Sequence, residues 1–275
     1  MVNHLENNEP ALELDVLDSI EKVATLLQTR PYTVALAGAG ISKESGIPTF
    51  RGSDGLWTKN GEPPLDQYQR FIDDPLDWWH TRLANDKGEF AQTLDNATPN
   101  RGHTALANLE KLGVLRHLIT QNIDDLHRRA GHLSLTEIHG NRFWMRCIKC
   151  GDRLSKDEFT HDPKLLPPRC TIGNCKGIIK SDTVMFGEPI PHAALAKSQI
   201  ESKKSEVFMA IGTSALVYPA AAYPLEAMQN NKPLIEINPE VTQLSEYATI
   251  VIRAPSGIAL PLIVERIKEL DLVIE

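Results

Sequence analysis

Tyr32-Thr33-Val34-Ala35-Leu36-Ala37-Gly38-Ala39-Gly40-Ile41-Ser42-Lys43-Glu44-Ser45-Gly46-Ile47-Pro48-Thr49-Phe50-Arg51 is the stretch that decides the fold. Its first six residues form an apolar, β-leaning run with the length of a buried parallel strand. A glycine-rich turn straight after such a strand is the usual place for a phosphate loop, because backbone without Cβ atoms can approach a diphosphate. The dinucleotide fingerprint of dehydrogenases needs a third glycine three residues after the second, so that the next helix packs closely on the strand. Lys43 stands there instead, Gly46 comes late, and Pro48 opposes a long regular helix. No clear acidic ribose residue closes a second strand soon afterwards. The stretch therefore predicts a bound nucleotide, held differently from that of a hydride-transfer enzyme.

Upstream, Leu14, Leu17, Ile20, Val23, Ala24 and Leu27 recur at helical spacing within 11–29. Downstream, 50–100 shows no strand alternation and carries Pro63-Pro64 and Trp78-Trp79, which reads as loop and short helices covering the nucleotide. Regular rhythm then returns: a helix near 102–112, a strand near 115–120, a helix near 124–130 and a strand near 134–138. After the cysteine segment 141–180 come a polar, solvated helix near 191–204, strand 207–211, a helix near 218–230, strand 233–237, a strand near 249–252 and a final helix over 257–271. Strands separated by helices imply an α/β fold, a doubly wound parallel Rossmann-like sheet with right-handed crossovers. The expected division places 11–50, 97–140 and 181–275 in the nucleotide-binding domain. Segments 51–96 and 141–180 form the smaller helical and zinc-binding lobe. Ligands of such sheets sit beyond the carboxyl ends of the strands, so the site is expected in the cleft between the lobes.

With 275 residues, 41% of them hydrophobic and 24% charged, the chain can bury a substantial core as one large or two unequal domains. A formal charge of −7 argues against direct binding of nucleic acid or anionic membrane. Met1 to Pro10 lacks a basic segment followed by an apolar one, and no apolar run approaches membrane-spanning length. A cytoplasmic location is expected.

All four cysteines fall in two close pairs, Cys147/Cys150 and Cys170/Cys175. Two closely spaced sulfurs from one turn can reach the same tetrahedral ion at about 2.3 Å, and two such turns close a four-sulfur site. The wider second pair is eased by Gly173. Four sulfurs leave no open coordination position, so the reading is structural Zn2+ that holds the small lobe together. Redox bridges are the alternative.

Taken in order, Gly38 to Ser42, Ser45 to Arg51, Gly55-Leu56-Trp57, Thr120 to Asp124, Leu126-His127, His139-Gly140, the cysteine pairs, Phe186-Gly187-Glu188 and Gly212-Thr213-Ser214 together resemble the sirtuin family over about residues 30 to 255. The resemblance implies an NAD-dependent protein lysine deacetylase or deacylase that consumes NAD as co-substrate. In that reaction the acyl oxygen attacks the nicotinamide ribose, nicotinamide leaves, and an alkylimidate resolves to free lysine and O-acyl-ADP-ribose. Acyl-lysine proteins or peptides are the implied partners.

By the resemblance, His139 is the catalytic base, a role that an imidazole of near-neutral pKa can fill. Its place at the end of a predicted strand, before Gly140, suits a cleft residue. Asn122 and Asp124 hold the nicotinamide ribose and amide, with Asn122 counted among the catalytic groups and Gln121 and Ile123 lining the same pocket. Asp124 also reads as a helix N-cap. Gly38, Ala39, Gly40, Ser42 and Arg51 approach the diphosphate, while Phe50 shields the reactive ribose from water. Gly212, Thr213, Ser214 and Asn238 follow later strands and contact phosphate and adenosine ribose. Val184, Phe186 and Gly187 receive the peptide as an added strand. Ser181 replaces the family's usual proline nearby. His103, His127 and His132 read as structural. Trp79-His80-Thr81-Arg82 is the nearest match to the Tyr and Arg of succinyl- and malonyl-preferring sirtuins, and it lacks the phenol. A neutral acyl group is therefore expected, with Trp78 and Trp79 as packing residues. A sirtuin-type ADP-ribosyltransferase and a catalytically weak NAD-binding scaffold are the other readings.

Overall fold

The computed structural model describes residues 13–30, 32–52, 55–85 and 88–274. Residues 11 and 12 of the expected first helix, and the N-terminal residues 1–10, lie outside the described residues. In chain order the elements are α1 (Leu14–Thr29), β1 (Thr33–Ala37), α2 (Leu56–Asn60), α3 (Gln67–Asp73), α4 (Pro75–Asn85), α5 (Glu89–Asn96), α6 (Arg101–Lys111), β2 (Leu115–Thr120), α7 (Leu126–Arg129) and β3 (Leu135–Glu137). They continue with β4 (Trp144–Cys147), β5 (Arg153–Ser155), β6 (Ile179–Ser181), α8 (His192–Lys204), β7 (Val207–Ile211), α9 (Ala222–Gln229), β8 (Leu234–Ile237), β9 (Ile250–Ile252) and α10 (Ser256–Ile274).

Strands pair in the order β3-β2-β1-β7-β8-β9, all parallel, as the apolar runs predict for a sheet covered on both faces. Strand β1 shows why. Ala35 and Ala37 point into a core shared with Val23 and Leu27 of α1, Leu106 of α6 and Leu260 and Ile263 of α10. Val34 and Leu36 point the other way, onto Phe208 and Tyr223. Period-two alternation thus buries both faces at once. Each fully buried aliphatic or phenyl side chain contributes roughly 1.5–3 kcal/mol, so this double core fixes the sheet without help from a ligand. The order of the strands reverses direction of progress at β1 and β7, where a crevice opens at their carboxyl ends.

A second sheet, β5-β4-β6, is antiparallel and carries all four cysteines in or beside its strands. Its apolar cluster is small: Trp79, Met145, Cys147, Cys170 and Ile179, with Trp79 Nε1 donating to the Ile179 carbonyl at 3.0 Å.

Three expectations are adjusted. Helix α8 is not fully solvated, since Ser198, Glu201 and Ser202 are buried, with Tyr32 donating its hydroxyl to Glu201 at 2.5 Å. Helix α9 starts at Ala222 rather than near 218; Ser214 to Ala221 is loop and turn, of which Ser214 and Leu216 to Pro219 line the cleft while Ala215, Ala220 and Ala221 are buried. Helix α7 is one turn only. Asp125 enters it at φ 64°, and Gly131 at φ 99° closes the segment that follows.

Candidate active site

A cleft of about 1780 Å³ lies at the carboxyl ends of β1 and β7. That volume exceeds the usual small-molecule pocket of about 300–1,000 Å³, leaving room for a nucleotide and a second ligand. The glycines at its floor are there for close packing. A Cβ on Gly38 would lie 2.7 Å from Thr213 Cβ, one on Gly40 would lie 2.7 Å from Gly212 Cα, and Gly212 itself adopts φ 55°. The N–H groups of Gly38 and Gly40 donate to the carbonyls of Ile211 and Gly212 at 3.0 and 2.8 Å. Both amides are therefore paired within the protein, and Gly38, Ala39 and Gly40 all line the cleft. Ala39, half-buried between them, opens a 3-10 turn over Ala39–Ser45 that ends at Gly46 with φ 84°. The long helix that Pro48 opposes is indeed absent from this segment.

Ser42 and Asp124 do not line the cleft. They lie directly behind it: Ser42 Oγ donates to Asp124 Oδ2 at 2.6 Å and accepts from Asn122 Nδ2 at 3.1 Å. Asp124 Oδ1 accepts from Leu126 N–H at 3.0 Å, the cap-type bond read from sequence, although Asp125 is the N-cap residue. Burial pushes the Asp124 carboxyl above its ordinary pKa, and the Ser42 and Leu126 hydrogen bonds pull it back. Asn122 faces the cleft and also donates to the Gly38 carbonyl at 3.0 Å, so this layer ties the end of β2 to the end of β1.

His139 follows β3 and lines the cleft with Gln121, Asn122 and Ile123. Its Nδ1 lies 3.1 Å from the Gln121 carbonyl, which can only accept. Nδ1 therefore carries the proton, and Nε2 is left as the basic nitrogen. Burial holds the His139 pKa below its ordinary value, the Gln121 contact opposing, so the ring is neutral at pH 7. Gln121 Nε2 in turn donates to Thr213 Oγ1 at 2.8 Å, and Asn238 Nδ2 donates to the Thr213 carbonyl at 3.3 Å. Gly212, Thr213, Ser214 and Asn238 thereby form one continuous wall.

Over the opposite mouth, Phe50 packs on Trp57 with ring centroids 4.8 Å apart. Arg51 lines the cleft, yet its guanidinium is held by Glu62 at 2.9 Å and lies 4.6 Å from the Trp57 ring centre. Val184, Phe186 and Gly187 line the same space. The Phe186 carbonyl accepts from Tyr68 N–H at 2.9 Å, and its N–H donates to Gln67 Oε1 at 3.4 Å. Phe186 thus offers a side chain, while its main chain is already paired with α3. Sequence reasoning missed Leu216 to Pro219, which line the cleft as well. Their signal was available, since they follow directly on the Gly212-Thr213-Ser214 turn.

Away from the cleft, the four cysteine sulfurs all lie within 4.8 Å of one another, with Cys147–Cys175 at 3.6 Å and Cys150–Cys170 at 3.8 Å. A regular tetrahedron with bonds of about 2.3 Å has edges of about 3.8 Å, so the donor set fits Zn2+. Free thiols rather than disulfides occupy all four positions. His103, His127 and His132 form a buried row with ring centroids 4.8 and 5.7 Å apart, clear of the cleft lining.

The structure thus sets a neutral histidine in a large cleft at the strand ends of a parallel sheet, with a four-cysteine cluster beside a smaller antiparallel sheet. The Sir2 family model matches residues 38–219. The NAD-dependent protein deacylase 1 of Archaeoglobus fulgidus is 39% identical over 253 residues, covering 90% of this chain and 98% of that protein. A solved Sir2 homologue in complex with NAD is 37% identical, with a TM-score of 0.75 over 91% of this chain and 94% of that one. A Sir2 structure with a deacetylated p53 peptide and 3′-O-acetyl ADP-ribose is 31% identical, with a TM-score of 0.73 over 90% and 97%. The chain belongs to the Sir2 family, the sirtuins.

Proposed function

We propose that the protein is an NAD-dependent protein lysine deacylase, which removes acyl groups from lysine side chains of protein substrates in the cytoplasm. The observation that carries this reading is His139: a neutral imidazole whose Nδ1 proton is fixed by the Gln121 carbonyl, with Nε2 left to accept a proton beside Asn122 and the β1 and β7 strand ends. Segments 11–50, 97–140 and 181–275 carry the nucleotide, and 51–96 with 141–180 form the small lobe.

NAD supplies an activated ribose, from which nicotinamide departs as the acyl oxygen attacks. The chain's own residues do the rest. Asn122 orients the ribose from the cleft floor, positioned by Gly38 and Ser42, and Asp124 sits behind as the partner that fixes Ser42. Ala39, Ser214 and Asn238 face the phosphates and adenosine. Arg51 joins them on release from Glu62. Phe50, backed by Trp57 and by Phe90 at 6.3 Å, shields the ribose from water. His139 Nε2 would then take a ribose hydroxyl proton, making that oxygen the nucleophile on the acyl carbon; one water adds to that carbon, its C–N bond breaks to release the lysine amine, and the acyl group stays on the ribose as an ester. The substrate segment runs between Val184–Gly187 and Leu216–Pro219, with Val184 itself held by the His139 carbonyl at 2.9 Å.

The acyl group is neutral. Leu65, Trp78 and Phe186 line the cleft, whereas Arg82 lies outside its lining with its guanidinium 5.6 Å from the Trp78 ring centre, and Trp79 is buried in the small lobe. Nicotinamide release should be measured over acetyl-, succinyl- and long-chain acyl-lysine peptides. Acetyl and other neutral groups should turn over, and His139→Ala should lose about 10²–10⁴-fold in deacylation while retaining its fold and metal. Normal deacylation by His139→Ala would overturn the base assignment.

A further inference from the structure

Three charged side chains at the exit of the small sheet take no part in the chemistry described so far, and all are buried. The side chains of Lys180, Asp182 and Glu188 are 0%, 3% and 4% exposed. Asp182 is the centre of the group. Its Oδ2 accepts from Asn141 N–H at 3.0 Å and from Arg153 Nη2 at 2.7 Å, while Oδ1 lies 3.1 Å from Arg146 Nε. Its main chain reaches the same places: the N–H donates to the Trp144 carbonyl at 2.9 Å. The Asp182 carbonyl lies only 2.0 Å from where a Cβ on Gly140 would sit. Two residues on, Val184 N–H donates to the His139 carbonyl at 2.9 Å.

The turn His139-Gly140-Asn141 is therefore gripped on both sides by segment 182–184. Arg146 extends the grip, since its Nη2 also reaches Glu188 Oε1 at 2.7 Å. Glu188 Oε2 accepts from Met185 N–H at 2.9 Å and pairs with Lys180 at 2.9 Å, and Lys180 also donates to the Ser181 and Thr183 carbonyls at 2.9 and 2.7 Å. Both arginines belong to the zinc-bearing sheet, Arg146 to β4 and Arg153 to β5. Burial holds the Asp182 carboxyl above its ordinary pKa even with Arg153 and Arg146 beside it.

We propose that Asp182 is a positioning residue for deacylation: it holds the turn that carries His139 in register with the loop Thr183–Glu188, anchored on two arginines of the zinc-bearing sheet. The inference rests on the role proposed for His139. It would link the four-cysteine sheet, remote from the reacting atoms, to the placing of the base. The lobe that zinc holds in shape is the anchor for the base.

The test separates the two halves of the reaction. Exchange of labelled nicotinamide into NAD in the presence of acetyl-peptide needs an activated ribose but no base, whereas deacetylation needs both. Asp182→Ala should lose about a hundredfold in deacetylation, the scale expected when a catalytic group is misplaced by about 1 Å, while exchange, zinc content and the KM for NAD stay within threefold. Asp182→Asn, which keeps an oxygen for Asn141 N–H and Arg153, should recover to within about tenfold. Where Asp182→Ala does not fold, Arg153→Gln removes one partner from the exposed side and should lower the ratio of deacetylation to exchange severalfold. An unchanged ratio in the folded variants, or equal loss of both activities, would overturn the positioning role. His139→Ala run in parallel keeps the two ideas apart. If it deacetylates normally, the base assignment fails; if it does not and Asp182 variants keep the ratio, only the positioning role fails.

Discussion

Strand β1 buries Val34, Ala35, Leu36 and Ala37 between helices on both faces, whereas β4 and β6 bury Arg146 and Lys180 beside the carboxylates of Asp182 and Glu188. The larger sheet is held by apolar area, which is additive and tolerant of imperfect neighbours. Among the described residues the smaller sheet has five buried hydrophobic residues in its cluster and depends on directional partners instead: the four cysteine sulfurs and a chain of ion pairs. The difference shows where each kind of force is needed. The strand ends of the larger sheet form the cleft floor, while the ion pairs beside the smaller sheet fix the turn of His139 and the loop Thr183–Glu188 at defined positions. Charged hydrogen bonds fix direction in a way that apolar contact does not.

The sharpest break in that comparison is removal of zinc. Structural zinc sites contribute binding free energy on the order of 10 kcal/mol, far above what the small apolar cluster can replace. Chelation, or Cys147→Ser, should abolish deacylation and expose the amides of β4 and β6 to hydrogen exchange, while those of β1 and β7 remain protected. Exchange that spreads evenly over both sheets, or a small sheet that stays protected without metal, would refute the division of labour.

Acid gives a smaller effect on the larger lobe. His103 and His117 are buried and held neutral, with pKa values lowered to about 3 and about 4, and His127 is driven down as well, in each case mainly by desolvation. In the unfolded chain these rings titrate near 6.5, so as the pH falls below that value the unfolded state takes up protons that the folded state refuses. Stability is full above about pH 6.5 and declines below it. At pH 5.5 each such ring costs about 1.4 kcal/mol, giving about 4 kcal/mol for the three. The raised carboxyls of Asp124 and Asp182 act in the opposite sense: each is protonated in the folded protein at a pH where an unfolded carboxyl is still ionised, so their contribution to stability rises as the pH falls through their raised pKa values. Urea midpoints compared at pH 7.5 and 5.5 check this, and equal midpoints would contradict it.

The larger sheet was legible in sequence because hydrophobic period and run length report apolar burial directly. Val207 to Ile211 reads as a strand and is one, and the late Gly46 with Pro48 gives the short turn it implies. The four cysteines were legible because ligand chemistry requires their spacing. The joint was not. Asp182 and Lys180 look like ordinary polar residues in a segment with no periodic signal, and only the fold brings them to Asn141 and Glu188. Nor does a glycine motif reveal what its amides do: Gly38 and Gly40 read as a phosphate cradle, yet their N–H groups are taken by the neighbouring strand end. Ser42 and Asp124 carry the right residue types but stand one layer behind the surface they support.

The central claim is that the cleft couples nicotinamide loss to acyl transfer, and product analysis tests it most directly. Protein, NAD and an acetyl-lysine peptide incubated together should yield nicotinamide, deacetylated peptide and O-acetyl-ADP-ribose in equal amounts by mass spectrometry. Free acetate with NAD intact, ADP-ribose attached to protein without deacetylation, or NADH formed independently of peptide would contradict it.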